Sequence, residues 1–371
     1  MSDSTGHAPN PTSLPAVPWT DPARQQAFDS WLAAIAPAHG LAPASLRIAS
    51  ADASFRRYLR IDATSGDATF IIMDAPPEHE NCEPFVQVAE LMTAAGLNAP
   101  RVLAWDAVHG FMLLTDLGQR TMIEVIDRAN SHANQALYLQ AVDALITWQL
   151  ASRPGVLPPY DEALLRRELA LFPDWYLGRH RGVTLNDKQN AVMQQAFDQI
   201  VARNLAAPSV YVHRDFMPRN LMIGPTGSPL GVLDFQDAVY GPITYDIASL
   251  MRDAFLTWDE DFVLDITVRY WDKAREAGLL TADSPMGWGE DFGEFYRGVE
   301  WMGLQRHLKV AGIFARLTLR DGKPRYLADA PRFIAYIRAT ADRYRALGPF
   351  LRLIDEIEGT QPATGFAFGR V

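Results

Sequence analysis

Residues 211–237 read YVHRDFMPRNLMIGPTGSPLGVLDFQD, and this stretch decides the fold. Its apolar start and the runs NLMI and LGVLDF predict short strands, and the Gly/Pro-rich GPTGSP between the last two predicts a hairpin turn. Asp215 follows the first strand, where a carboxylate can take a proton from an attacking hydroxyl. Asn220 opens the next strand, and Asp234 closes the one after it. The hairpin therefore returns Asp234 to the neighbourhood of Asn220. Two oxygen donors on adjoining strands suit a hard cation such as Mg²⁺, which fills its other positions with water and phosphate oxygens.

Working outward, residues 23–39 carry Phe28, Trp31, Leu32 and Ile35 at helical spacing, with Asp21 and Pro22 where a cap and a first-turn proline belong. Residues 46–76 predict three strands broken by a small-residue loop at 50–54 and by the turn TSGDA. A helix over 83–96 and strands near 101–105 and 111–115 complete a strand-rich first third. Beyond 121 the pattern is helical over 134–151, 161–179, 187–206, 243–256, 260–277, 290–319 and 331–346, interrupted only at 209–236. The fold class is α+β, with a disordered tail over 1–22, a first lobe over 23–117 and a second over 118–371.

Composition narrows the chemistry. With 371 residues, 48% of them hydrophobic and 21% charged, the chain has room for two modest domains. A formal net charge of −10 argues against nucleic-acid or anionic-membrane binding. A single cysteine, Cys82, fits a reducing compartment. No run of about 18 apolar residues suggests a membrane span, and the first 22 residues lack a basic start and an apolar core. A cytoplasmic monomer is expected.

The pattern H-R-D-x-x-x-x-N at 213–220 resembles the catalytic loop of kinase-like phosphotransferases. Together with YGPITYDIA, residues 240–248, it is similar to the aminoglycoside-phosphotransferase-like kinases, whose signature after the metal-binding Asp is read here as Gly241, Pro242, Asp246 and Ala248. DASFRRY, FIIMDAPPE, LLTDLG and HRDFMPRNLM resemble more closely the anomeric N-acetylmuramate/N-acetylglucosamine kinases of bacterial cell-wall recycling. That resemblance implies a two-lobed, protein-kinase-like fold using ATP and Mg²⁺ to phosphorylate the C1 hydroxyl of an amino sugar. It implies Asp215 as catalytic base, Asn220 and Asp234 as metal ligands, and the backbone of 114–118, with Thr115 and Leu117, as the adenine-binding hinge. His213, Arg214 and Asp246 are expected to support the catalytic loop.

The chain also departs from kinase patterns. SADASFRRY holds no glycine where protein kinases carry a Gly-rich loop, so Ser54 is the expected hydroxyl donor to phosphate. Met73 stands where many kinases place a phosphate-binding lysine, and no lysine precedes Lys188. Arg57 or Arg60 is the expected substitute cation. Met217 and the absence of a long activation segment favour a small-molecule acceptor over a protein. For the sugar, the expected contacts are Asp237, Arg306 on the helix over 296–317, and Trp175. An aminoglycoside, choline or another small alcohol is the alternative acceptor, and a non-catalytic nucleotide-binding protein is the alternative class.

Overall fold

The computed structural model describes residues 17–51, 55–225 and 227–360, without the side chains of 50 and 51. Two compact units emerge: residues 1–94 with 98–118, and residues 95–97 with 119–371.

In the first unit, Asp21 accepts the Ala23 N–H at 2.9 Å and Pro22 begins helix α1 (Pro22–His39), which ends at Gly40 with φ 60°. That left-handed turn feeds β1 (Leu41–Ala51), and β2 (Arg57–Ala63) and β3 (Thr69–Asp74) follow. Helix α2 (Glu83–Ala94) precedes β4 (Val102–Asp106) and β5 (Phe111–Thr115). The strands form one sheet in the order β1-β2-β3-β5-β4, every pair antiparallel. Leu59 and Ile61, two apart on β2, share the buried face with Ile72, Phe111 and Leu113, and α1 covers them with Phe28 and Leu32. Val17 and Trp19, expected in the tail, pack against this core, and Trp19 meets Phe28 at 4.9 Å between ring centroids. Residues 1–16 of that tail lie outside the described residues.

The second unit opens with β6 (Arg120–Thr121) and α3 (Met122–Val125). Helices α4 (Gln135–Leu150), α5 (Glu162–Leu171) and α6 (Asp187–Leu205) lead to β7 (Ser209–Val212). The short strands β8 (Leu221–Ile223), β9 (Gly231–Val232) and β10 (Val239–Pro242) follow, then α7 (Thr244–Met251), α8 (Glu260–Glu276), α9 (Phe292–Leu319), α10 (Ala330–Arg343) and α11 (Gly348–Glu358). β8 pairs with both β6 and β9, while β7 pairs with β10. Helix α9 is buried almost all round, so it is a core helix and not an amphipathic surface one.

Two expected helices differ. The one over 161–179 changes after Leu171 into a π-helical stretch, Phe172–His180, in which the Arg181 N–H reaches the Tyr176 carbonyl at 2.9 Å. Pro173 has no N–H to continue an α-helical ladder there. The helix over 243–256 stops at Met251, and Asp253 then takes the Phe255 N–H at 2.8 Å, a local bond that competes with helix continuation.

Candidate active site

The site is built on the β7–β8 loop and on the turn after β9. β7 ends against β10, with Val212 opposite Val239. The next residue, His213, is 1% exposed, and both of its ring nitrogens are engaged. Nε2 lies 3.0 Å from the Leu233 carbonyl and Nδ1 lies 3.2 Å from the Asp215 N–H. Only the neutral tautomer with its proton on Nε2 makes both bonds. Burial pushes the His213 pKa down, which favours that same neutral form. His213 therefore ties the Asp215 amide to the residue just before Asp234 and has no nitrogen left to act as a base.

Asp246, in the first turn of α7, is fully buried beneath this loop. Its carboxylate accepts the His213 N–H at 2.7 Å and the Arg214 N–H at 3.0 Å. Burial raises its pKa to about 6, against the pull of His213 and the two N–H donors. Arg214 has φ 77° and Asp234 has φ 63°. Left-handed conformations in non-glycine residues are uncommon and tend to cluster at functional sites.

Asn220 closes a single 3₁₀ turn, Pro218–Asn220. Its Nδ2 donates to the Asp215 carbonyl at 2.9 Å and to Asp234 Oδ2 at 3.3 Å, and its own carbonyl accepts the Leu233 N–H at 2.9 Å. Gln236 Nε2 donates to Asp234 Oδ1 at 2.9 Å. Asp215 is half-buried and Asp234 exposed. No cluster of three or more His, Cys, Asp or Glu side chains arranged for a metal exists among the described residues. The donors are a few hard oxygens: the Asp234 carboxylate and the Asn220 Oδ1. They fit Mg²⁺, which is commonly held by one or two protein oxygens together with phosphate oxygens.

Beneath Arg214 lies an ionic cluster that sequence reasoning missed. Glu168 Oε1 takes Arg214 Nη2 at 2.6 Å and Lys309 Nζ at 3.0 Å, while Tyr160 donates its hydroxyl to Oε2. Lys309 also donates to the Tyr245 hydroxyl at 3.0 Å. Burial alone would raise the Glu168 pKa, but Lys309 and Arg214 hold it down at about 2. A buried arginine demands an anion, and in that sense Arg214 signalled the cluster. Nothing near it in sequence says that the anion comes from α5.

The other expected residues have these surroundings. Asp237 is exposed, and its carbonyl lies 3.4 Å from Arg214 Nη1. Arg306, expected at the sugar, is 2% exposed and donates Nη1 to the Arg214 carbonyl at 2.7 Å. Its place on a helix buried almost all round, with that bond, makes it a support of the loop. Trp175 is half-buried in the π-helical stretch, with the Arg179 guanidinium 4.2 Å over its ring. Arg57 binds Asp74 Oδ2 through Nη2 at 2.5 Å and lies 4.0 Å over the Trp19 ring. Arg24 binds the other oxygen of Asp74. Arg60 binds Asp116 at 2.5 Å and the Gly118 carbonyl at 2.7 Å, so both candidate phosphate cations hold carboxylates. Leu117 lies within the turn that Arg60 braces, where the Gly118 N–H bonds Asp116 at 2.9 Å. Thr115 Oγ1 accepts the Arg101 N–H at 2.9 Å. Met73 is fully buried. Ser54 lies outside the described residues.

A family model described as "Phosphotransferase enzyme family" matches residues 45–279. A Neisseria meningitidis protein named N-acetylmuramate/N-acetylglucosamine kinase is 46% identical over 347 residues, 93% of this chain and 99% of that one. A Pseudomonas aeruginosa protein of the same name is 48% identical over 331 residues, covering 87% of this chain and 94% of its own. Among solved structures, a choline/ethanolamine kinase family protein from Mesorhizobium loti superposes with a TM-score of 0.58. That match covers 90% of this chain and 99% of the other at 15% identity, so it speaks to the fold alone.

Proposed function

The chain belongs to the phosphotransferase enzyme family, and on that premise we propose that it phosphorylates the anomeric hydroxyl of N-acetylmuramate and N-acetylglucosamine with ATP. The family membership and the relatives' names support a kinase acting on these sugars. The observation that carries the assignment to particular atoms is the meeting of three groups. Asn220 bonds both the Asp215 backbone and the Asp234 carboxylate, at 2.9 and 3.3 Å.

The proposed chemistry assigns one job to each. The C1 oxygen of the sugar attacks the γ-phosphorus, the bond from that phosphorus to the β,γ-bridging oxygen breaks, and ADP leaves. The hydroxyl proton passes to the Asp215 carboxylate. An anomeric hydroxyl is more acidic than an ordinary alcohol, so a carboxylate suffices as base, with most of the rate coming from positioning and electrostatics. Asp234 and Asn220 Oδ1 would hold Mg²⁺, which supplies neutralisation of the charge on the transferred phosphoryl oxygens. His213 keeps the Asp215 amide fixed without competing for the proton. The backbone of Thr115 and Leu117 is the proposed adenine contact, in a segment braced by the Arg60–Asp116 pair. Asp237, exposed beside Arg214, is the proposed sugar contact. The same reading places the enzyme in wall-sugar recycling as a cytoplasmic monomer. No described helix is long and apolar enough to cross a membrane.

Phosphorus NMR of a reaction containing the protein, ATP, Mg²⁺ and either sugar tests the proposal. A sugar 1-phosphate resonance coupled to the anomeric proton is the expected result. A phosphomonoester at another hydroxyl overturns the anomeric assignment. No sugar phosphate, with turnover appearing on choline or an aminoglycoside, overturns the substrate.

A further inference from the structure

Arg214 adopts φ 77°, a conformation that costs an arginine more than a glycine. Its N–H, its carbonyl and one nitrogen of its guanidinium are each held by a different element. Asp246 of α7 takes its N–H at 3.0 Å, and Arg306 of α9 donates to its carbonyl at 2.7 Å. Glu168 of α5 takes its guanidinium at 2.6 Å. The next residue in the chain is Asp215. The peptide that sets the direction of the catalytic carboxylate is thus clamped at both ends, and the side chain is the third clamp.

The anion of that third clamp is Glu168, which holds the guanidinium at 2.6 Å and is shared with Lys309 at 3.0 Å. Tyr160 occupies its second oxygen. Both oxygens of the carboxylate are thus engaged. Arg214 Nη1 meanwhile approaches the Asp237 carbonyl at 3.4 Å, which connects the same side chain to the turn following Asp234. One guanidinium therefore faces both the loop of the base and the segment carrying the metal-side carboxylate.

We propose that Glu168 is a positioning residue for phosphoryl transfer: through Arg214 it holds the left-handed peptide that aims Asp215. Its kinetic consequence rests on the phosphotransfer reading above, whereas its structural consequence does not. Removing the Glu168 charge should loosen the Arg214–Asp215 peptide and lower turnover while leaving substrate binding in place.

Five variants and two readouts test this. Glu168→Gln should lower kcat about tenfold or more, with KM for ATP and sugar within about threefold, as expected of a contact that matters to the transition state and not to binding. Amide hydrogen exchange over 212–217 should quicken in the same variant. Arg214→Gly removes the side chain but supplies a residue at ease with positive φ. Adding Glu168→Gln to it should cost little further, because the effect of Glu168 is routed through Arg214. Glu168→Gln/Lys309→Met removes one anion and one cation together, so the formal charge of the cluster is unchanged, and it should remain slow. Glu300→Gln, which disturbs a separate buried contact with Arg343 and Tyr344, should leave kcat unchanged.

Independent, additive losses from Glu168→Gln and Arg214→Gly would overturn the proposal. So would recovery of normal turnover in Glu168→Gln/Lys309→Met, which would assign the loss to unbalanced buried charge. Unchanged exchange over 212–217 in Glu168→Gln overturns it whether or not the wild type turns over. A wild type inert toward every acceptor would instead sink the functional reading, and the exchange result would then decide the positioning role by itself.

Discussion

Asn220 reaches Asp234 across the hairpin at 3.3 Å, from a side chain whose same nitrogen holds the Asp215 carbonyl at 2.9 Å. One amide therefore couples the backbone of the proposed base to the carboxylate proposed for the metal. His213 makes a second coupling, between the Asp215 N–H and the Leu233 carbonyl. Asn220→Ala removes the first coupling and one of the two cation donors. It is expected to lower turnover by about 10- to 100-fold and to raise the Mg²⁺ concentration needed for half-maximal rate. Magnesium titration of the steady-state rate checks this, and an unchanged midpoint would remove Asn220 from the metal site.

Glu168 gives a pH-dependent stability prediction. Its pKa is lowered to about 2 in the folded protein, against about 4.3 in an unfolded chain. The folded state therefore prefers the ionised carboxylate, and the unfolded state binds more protons as the pH falls. The stabilisation is fully present above the unfolded value and is lost as the pH falls from about 4 to about 2. Its size is roughly 3 kcal/mol. Urea unfolding of wild type and Glu168→Gln should show a gap at pH 6 that narrows steadily in acid. A gap independent of pH would contradict the ion-pair assignment.

Arg60 and Asp116 form a largely buried pair, with side-chain exposures of 13% and 4%. Asp116 also takes the Thr69 hydroxyl at 2.6 Å and the Gly118 N–H at 2.9 Å. Asp116→Ala leaves a buried guanidinium without its carboxylate and should destabilise the first unit by about 3–5 kcal/mol. Thermal or urea unfolding followed by Trp fluorescence measures it. A loss below about 1 kcal/mol would show the pair to be solvated.

Gly241 is required by space. A Cβ there would stand 2.5 Å from Tyr160 Cβ, a contact that real side chains do not make. Tyr160 bonds Glu168, so Gly241→Ala should disturb the cluster under Arg214 as well as the β7–β10 pairing. The expected cost is about 1–3 kcal/mol of stability, together with reduced turnover. A stable, fully active variant would show that Tyr160 can yield without consequence.

What was legible in the sequence follows from how far apart the partners lie. His213, Asp215, Asn220 and Asp234 belong to one hairpin, where spacing alone brings the side chains together, and Asp246 follows within the next helix. The strand β10 was not legible, because VYGP is too short and too glycine- and proline-marked to read as a strand until its pairing with β7 is seen. Arg57 and Arg60 alternate on β2 as expected, but their carboxylates, Asp74 and Asp116, come from a neighbouring strand and from the segment after β5. A strand pattern says which face an arginine takes and not what waits there. The partners of Arg306 and Lys309 were hidden for a related reason. Charge on a long helix usually marks a solvated face, and α9 instead buries both residues against the catalytic loop and Glu168.

Steady-state kinetics of Asp215→Asn test the central assignment most directly. The substitution keeps the size of the side chain and removes its ability to accept the proton. Turnover should fall by about 100-fold or more, with the fold intact by circular dichroism and the KM for ATP within about threefold. Turnover within about threefold of wild type would contradict Asp215 as the base.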